Sequence, residues 1–239
     1  MQKLIGKMAR MYPLFILMGF MIVVTAFVVG YLNSQAAAAY FAESKAVRET
    51  TLMAQRATIE SVGLWLPYFK FLGIGLILSG IVMALRVIID ALKGAGNQVL
   101  ANLPEGKRPA LPAPPLYGLW MPVVMMLGLT MFIVALIVSI DLAGIAQALF
   151  AHPLPEIDAA GAGSALLVQV QAIHSTLAWL IPLKFFAIAT EFLAIAMGLS
   201  TIIYILSNQT EMIDNGIQLG RSMMQGNAKV ENKRERVPA

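Results

Sequence analysis

Four long apolar stretches constrain this chain more than any other feature of its sequence. They lie over residues 13–32, 64–89, 118–140 and 177–206. A helix that crosses a bilayer needs about 20 predominantly apolar residues, whereas a strand of a membrane barrel needs about 10 residues of alternating polarity. Because the stretches are long and do not alternate, they predict an all-α integral membrane protein with four transmembrane helices.

The overall composition agrees with a chain that lies in lipid. Of its 239 residues, 59% are hydrophobic and 13% are charged, and the mean hydropathy is +0.76. An ordinary soluble domain carries about 25% charged residues. The sequence contains no cysteine, which excludes disulfides, thiolate metal sites and cysteine nucleophiles. The lipid bilayer is therefore the first predicted partner.

The first apolar stretch also shares features with a cleavable signal peptide. Three basic residues precede it, and small residues follow it at Ala36, Ala37 and Ala38. Its apolar run exceeds the roughly 7 to 15 residues that such a peptide uses. We therefore expect it to be a first transmembrane helix.

Lysine and arginine residues are unevenly distributed between the two sides of the predicted bundle. Twelve belong to the N-terminal segment, the middle connection and the C-terminal tail, whereas the first outer connection holds three, at Lys45, Arg48 and Arg56. Cytoplasmic segments are enriched in lysine and arginine. The bias predicts a multi-pass protein of a bacterial-type inner (plasma) membrane with both termini in the cytoplasm. Because the basic residues flank apolar segments, the net charge of +4 does not indicate a nucleic-acid partner.

The two halves of the chain share a pattern that indicates an internal repeat. When the chain is aligned with itself at a shift of 114 residues, three residues of the first half fall on identical residues of the second half. A shift of 109 residues aligns two further identical residues. Repeats with an even number of spans share one orientation and are related by an axis along the membrane normal. We predict two tandem helical hairpins from these pairs: Trp65 and Trp179, Lys70 and Lys184, Phe71 and Phe185, Pro13 and Pro122, Gly19 and Gly128.

The predicted segments follow from the repeat and from the proline-rich middle of the chain. Prolines between residues 94 and 117 cannot sustain a helix, and the tail after residue 225 is polar without an apolar period. The predicted segments are a first hairpin over 1–93 with an outer helix over 35–62, a cytoplasmic linker over 94–117, a second hairpin over 118–225 with an outer helix over 163–176 and a cytoplasmic helix to 225, and a disordered tail over 226–239.

Glu191 is the most informative polar residue, because it lies within the fourth apolar stretch. It follows Trp179 by 12 residues, which at 1.5 Å per residue places it about 18 Å along the helix, near the bilayer centre. A carboxyl group there is either an ion or proton site, or a neutral group that hydrogen-bonds another helix. Lys184 either reaches the interface or pairs with Glu191 or with Asp141, so we keep all three as ion or proton candidates.

Other residues predict contacts and anchors. Small side chains on the second span would let another helix approach closely, and tryptophans at span ends are typical membrane-interface anchors. The outer side has two histidines but no HExxH pattern, so they are only weak metal candidates. The helix-contact candidates are Gly73, Gly75, Ser79 and Gly80, the anchors are Trp65, Trp120 and Trp179, and the histidines are His152 and His174.

Apolar residues continue at helical spacing beyond the fourth span. Ile213, Ile217 and Met224 share one predicted face, whereas Asp214 and Gln218 lie on others. An apolar stripe on a helix outside the membrane must be covered by another surface. This pattern favours a helical extension that contacts another helix or a partner.

The sequence favours a structural role over a catalytic one. It contains no phosphate-binding loop, nucleophile elbow, kinase motif or zincin motif, and it predicts no cofactor. We expect a non-catalytic membrane subunit or scaffold that assembles with itself or with a larger inner-membrane complex. The alternatives are a small transporter or proton conduit that uses Glu191, and a membrane enzyme or metal-binding protein that uses the outer histidines.

Overall fold

The computed structural model of the chain describes the backbone of residues 9–101 and 115–234. Side chains are described over the same ranges except for 99–100 and 211–234. The predicted linker falls mostly on residues 102–114, which lie outside the described residues. The helices, in chain order, are α1 (Tyr12–Ala42), α2 (Lys45–Thr50), α3 (Met53–Ala101), α4 (Tyr117–Phe150), α5 (Leu154–Asp158) and α6 (Ala165–Arg234).

Four of these helices are long and apolar enough to cross a membrane, and no strand occurs in the described ranges. They are α1, the Met53–Gln98 part of α3, α4, and the Ala165–Thr210 part of α6. The prediction of an all-α chain with four candidate membrane-spanning helices is therefore confirmed. The shortest of the four, α1, has 31 residues, which is about 46 Å at 1.5 Å per residue. Each of the four helices is therefore longer than the hydrocarbon core of about 30 Å.

The segments predicted as outer helices are continuous with the spans. Over 35–62, α1 continues to Ala42, where Glu43 adopts an extended conformation with ψ 157°. The short helix α2 follows, and α3 then runs from Met53 without interruption into the second span. The residues predicted as one outer helix are therefore helical but divided by two breaks.

The second outer region begins α6. Gly163 has φ +82°, in the left-handed region that favours glycine. Next to it, the Ser164 hydroxyl accepts a hydrogen bond from the Leu167 backbone N–H at 3.3 Å, as expected at a helix start. The helix predicted over 163–176 is thus the first part of α6.

The far end of α6 also differs from the prediction. It continues to Arg234 instead of giving way to disorder at residue 226. Residues 228–234 are mostly good helix formers, among them Ala228, Glu231 and Lys233, so local propensity permits this extension.

Helix α3 is the centre of the packing. It packs against α1, α4 and α6, and α4 also packs against α6, whereas α1 has no other large contact among the described residues. Gly80 lies against Tyr12 and Gly30 against Leu66, so α1 and α3 are antiparallel. Only Gly19, Ala26 and Tyr40 are buried in α1, because α1 has a large contact with a single helix, α3, among the described residues.

Helices α3 and α6 run parallel to each other. The rings of Phe71 and Phe185 meet edge to face at 6.3 Å between centroids. Farther along both helices, the Gln209 amide donates a hydrogen bond to the Leu92 carbonyl oxygen at 2.8 Å. Between these contacts lies a buried apolar cluster from α3, α4 and α6, which contains Val82, Met83, Ile89, Met121, Met125, Ala194 and Ile205.

Aromatic side chains and arginines connect the segments at the opposite end. The Arg48 guanidinium lies 5.7 Å and 5.3 Å from the ring centres of Tyr40 and Phe41. Arg56 lies 4.5 Å from the centre of the Phe150 ring. These contacts join α1, α2, α3 and α4 outside the predicted hydrocarbon region.

Candidate functional site

Glu191 lies at the contact of three helices. Its side chain is 0% exposed, and the Ser79 hydroxyl donates a hydrogen bond to its Oε1 at 3.0 Å. Its Oε2 is buried and has no hydrogen-bond partner among the described residues. Because a buried polar atom without a partner is costly, this carboxyl group is the strongest candidate for a functional site.

Glu191 lies between the levels of two tryptophans, Trp120 and Trp179. Gly128 of α4 lies beside it, and Gly128 follows Trp120 by eight residues, or about 12 Å of helix. Trp179 lies about 18 Å from Glu191 in the other direction. If the two tryptophans mark the interfaces, the distances sum to the thickness of a hydrocarbon core, and Glu191 lies near its middle.

Gly128 provides the space that Glu191 occupies. A Cβ atom at Gly128 would lie 3.0 Å from Cγ and 3.1 Å from Oε1 of Glu191, and 3.2 Å from the Ala187 carbonyl oxygen. Ser79 is also 0% exposed. The carboxyl group is therefore enclosed by the small residues of two neighbouring helices.

No cation faces Glu191 among the described side chains. The ion pairs among the described residues lie elsewhere and join Lys45 to Glu49, Arg86 to Asp90 and His152 to Glu156. A carboxyl group in this setting can accept the Ser79 hydrogen bond in either protonation state. In its protonated form it can also donate one.

Lys184 and Asp141 are not joined to Glu191. The Lys184 Nζ lies over three aromatic rings, 5.4 Å from the centre of Tyr68 and 5.2 Å from those of Phe71 and Phe185. Asp141 is exposed on α4. Neither forms an ion pair within the described residues, so the structure does not assemble the three ion or proton candidates into one site.

Among the described residues, the buried hydroxyl groups do not form a hydrogen-bonded chain from Glu191 toward either end of the bundle. Ser139, Thr190 and Thr201 donate their hydrogen bonds to carbonyl oxygens three or four residues earlier in their own helices. Such bonds satisfy a hydroxyl group locally. Within the part of the chain that the structure describes, Ser79 is the single side chain that bonds Glu191.

The helix-contact candidates of the second span all lie against helices of the same chain. A Cβ at Gly73 would meet Gly19 of α1 at 2.9 Å, and a Cβ at Gly80 would meet Ile16 of α1 at 2.6 Å. Gly75 lies against the Phe132 ring of α4, where a Cβ would be 2.5 Å from the nearest ring carbon. These small residues therefore act in intrachain packing, and replacing them would disturb the fold before any assembly.

The anchor candidates lie on the outside of the bundle. Trp120 is 59% exposed and Trp179 is 48% exposed. Trp65 is half-buried, and its ring meets Phe69 edge to face at 5.7 Å between centroids. Outward tryptophans suit the role of interface anchors.

The two histidines lie on different segments. His152 follows α4, and its Nδ1 is 3.3 Å from Glu156 Oε1, while His174 is exposed within α6. The described residues include no group of three or more side chains that could hold a metal ion.

The partners of Glu191 were not identified from the sequence. Ser79 was predicted only as a small contact residue, and Gly128 only as the counterpart of Gly19. The repeat carried a usable signal, since a shift of 114 residues between parallel helices puts Ser79 at nearly the level of Glu191.

Comparison of the chain with protein-family models, with curated proteins and with solved structures gives no significant match.

Proposed function

We propose that this protein is a non-catalytic subunit or scaffold of a bacterial-type inner membrane, and that it assembles with itself or with a larger membrane complex. The observation that carries the proposal is the uninterrupted course of α6 to Arg234. This helix extends beyond the level of Ala101, the last described residue of its parallel neighbour α3.

The length of that extension follows from the contacts between the two helices. Gln209 lies beside Leu92 and Gly96, so Ala101 is near the level of residues 214–218. The remainder of α6 projects about 25 Å farther at 1.5 Å per residue. Most of the stability of a helix in a protein comes from the packing of its apolar face, and the sequence of this extension places Ile217 and Met224 on one face. A helix from another chain would cover that face and stabilise the extension.

The packing supports the two-hairpin arrangement that the proposal assumes. Gly19 packs against Gly73 and Ile77, and Gly128 packs against Ala187 and Glu191. A shift of 109 residues takes Gly19 to Gly128, and a shift of 114 residues takes Gly73 and Ile77 to Ala187 and Glu191. The two contacts are therefore equivalent, residue for residue. Two halves that repeat both a sequence pattern and a helix contact are expected of a duplicated hairpin.

The predicted orientation uses the same arrangement. With α1 and α3 antiparallel and α3 and α6 parallel, the start of α1 and the end of α6 lie on one side. Arg10, Arg86 and Lys93 belong to that side, which supports cytoplasmic termini by the distribution of basic residues.

The proposal is tested by gentle extraction of the full chain from its native membrane, followed by measurement of the mass of the complex and identification of its chains. A double substitution, Ile213→Glu with Ile217→Glu, is expected to release the partner. The matched control Gln218→Glu adds a charge to another face of the same helix and should leave the complex intact. A monomeric wild-type chain, or a complex that survives the double substitution, would contradict the proposal.

A proton or ion conduit is the second candidate function, and the unpartnered Oε2 of Glu191 favours it. In liposomes that contain the purified chain, a conduit predicts proton or cation flux that Glu191→Gln abolishes. The scaffold predicts no flux in the wild type and an unchanged complex in the variant. The chain of polar side chains that a conduit requires is not present among the described residues beside Glu191.

A further inference from the structure

An apolar cavity lies between α3 and α4, beside Ala9, which precedes α1. Its volume is about 330 Å³, and its lining exposes no polar surface. This volume is within the usual range for small-molecule sites. The lining residues are Ala9, Val82, Met83, Arg86, Met121, Pro122, Val123, Met125 and Met126.

The cavity opens toward the membrane side of the bundle. Val123 and Met126 line it and are also 54% and 47% exposed. Both belong to the apolar stretch of α4 that faces lipid. The opening arises because α1 and α4 each pack on α3 and not closely on each other. A molecule that enters through it comes from the bilayer.

Arg86 borders the cavity through the apolar stem of its side chain. Its side chain is 13% exposed, and its Nε lies 3.3 Å from Asp90 Oδ2, although that buried Nε forms no hydrogen bond within the described residues. Arg86 lines the same cavity as Met121, the residue after Trp120, so the guanidinium lies close to the level of an interface anchor. Asp90 has a 43% exposed side chain and approaches the guanidinium at Nε, which carries one of the five N–H donors of that group.

We propose that this cavity binds an anionic phospholipid, with one acyl chain between α3 and α4 and the phosphate on the Arg86 guanidinium. The apolar lining fits a hydrocarbon chain, and the arginine at interface depth fits a phosphate, which guanidinium groups bind by bidentate hydrogen bonds. Basic pockets between membrane helices are known to bind lipid headgroups of the cytoplasmic leaflet. The predicted orientation places Arg86 on that side. This proposal does not depend on the assembly of the chain.

Native mass spectrometry of the full-length protein in detergent tests the site, with phosphatidylglycerol and phosphatidylcholine of the same acyl chains as probes. The wild type is expected to retain phosphatidylglycerol about fivefold better than phosphatidylcholine. The phosphate contact is available to both lipids, so the preference comes from net charge, and one basic residue near the membrane surface contributes roughly fivefold. Equal retention of the two lipids would overturn the proposal.

Two variants separate the charge from the cavity. Arg86→Gln should remove the preference for phosphatidylglycerol, whereas the control Lys70→Gln, at an exposed lysine in the other half of α3, should keep it. Val123→Trp fills the mouth of the cavity without changing charge and should reduce retention of both lipids. If Arg86→Gln fails to fold, the headgroup preference of the wild type and the Val123→Trp result still decide the matter. A preference that survives both folded variants would show that the lipid binds elsewhere.

Discussion

The α1–α3 pair and the α4–α6 pair share the same close helix contact but differ in the residue beside it. Gly19 packs on Gly73 and Ile77, and Gly128 packs on Ala187 and Glu191. In the first pair the contact is apolar and the glycine meets backbone directly. In the second pair the equivalent of Ile77 is a carboxyl group that hydrogen-bonds a third helix through Ser79.

The comparison separates the role of the glycine from that of the glutamate. Close approach of the two helices needs a small residue in each pair, because interfaces in lipid depend on van der Waals packing. The first pair approaches as closely without a carboxyl group, so close approach does not by itself require one. The place of the Glu191 carboxyl group at the junction of α3, α4 and α6 therefore concerns the arrangement of the second pair on α3, or a function of its own.

The largest expected effect comes from Gly19→Leu. A Cβ there would lie 2.5 Å from the Gly73 carbonyl oxygen, and backbone cannot move aside as a flexible side chain can. We expect a loss of about 3 kcal/mol from overpacking, with α1 displaced from α3. Because the sequence has no cysteine, a cysteine pair at Gly30 and Leu66 can report the displacement as lost cross-linking.

Gly144→Leu is the control for this change, because nothing lies within 4 Å of a Cβ built at Gly144. It should leave thermal stability in detergent and the α1–α3 cross-link unchanged. Efficient cross-linking in Gly19→Leu would mean that the close contact of α1 is not required.

Gly128→Leu is expected to be somewhat less damaging, at about 2 kcal/mol. The nearest atoms to a Cβ are Cγ and Oε1 of Glu191 at 3.0 Å and 3.1 Å, and a side chain can rotate away. The cost should fall further when Glu191→Ala is combined with it, as measured by thermal unfolding in detergent. Additive losses from the two substitutions would indicate that backbone at Ala187 sets the limit.

Ser79→Ala removes the hydrogen bond to Glu191 and should cost about 1 to 2 kcal/mol, since it leaves a buried carboxyl group without its partner. In the background of Glu191→Leu the same substitution should cost much less, and a double-mutant cycle measures the difference. Equal costs in both backgrounds would show that the hydrogen bond does not stabilise the second pair.

The smallest expected effect on stability is the difference between the equivalent lysines Lys70 and Lys184. Lys184 lies over three aromatic rings, and Lys184→Met should cost about 1 kcal/mol through the lost cation–π contacts. Lys70 is exposed, and Lys70→Met should leave the unfolding temperature unchanged. Similar shifts for both variants would mean that the rings around Lys184 do not stabilise its ammonium group.

Much of the architecture could be predicted because it depends on local pattern. Apolar length alone specifies the four candidate spans, whereas the depth of Glu191, from its spacing to Trp179, stays a prediction. The breaks around α2 could not be predicted, because alanine-rich and charged residues there are compatible with an unbroken helix. Helix α6 continues past the predicted boundary at residue 225, because a polar sequence with good helix propensity is compatible with both disorder and a solvated helix.

The sequence by itself determined that the chain is helical, that it has four helices able to cross a membrane, and that one carboxyl group lies deep within the last of them. Only the tertiary structure decided what surrounds that group, because rotation and pairing of apolar helices depend on shape, and many pairings of such helices have similar composition. It placed Ser79 and Gly128 around Glu191, and it enclosed Lys184 with aromatic rings instead of a carboxylate. It also assigned the small residues of α3 to three neighbours within the chain.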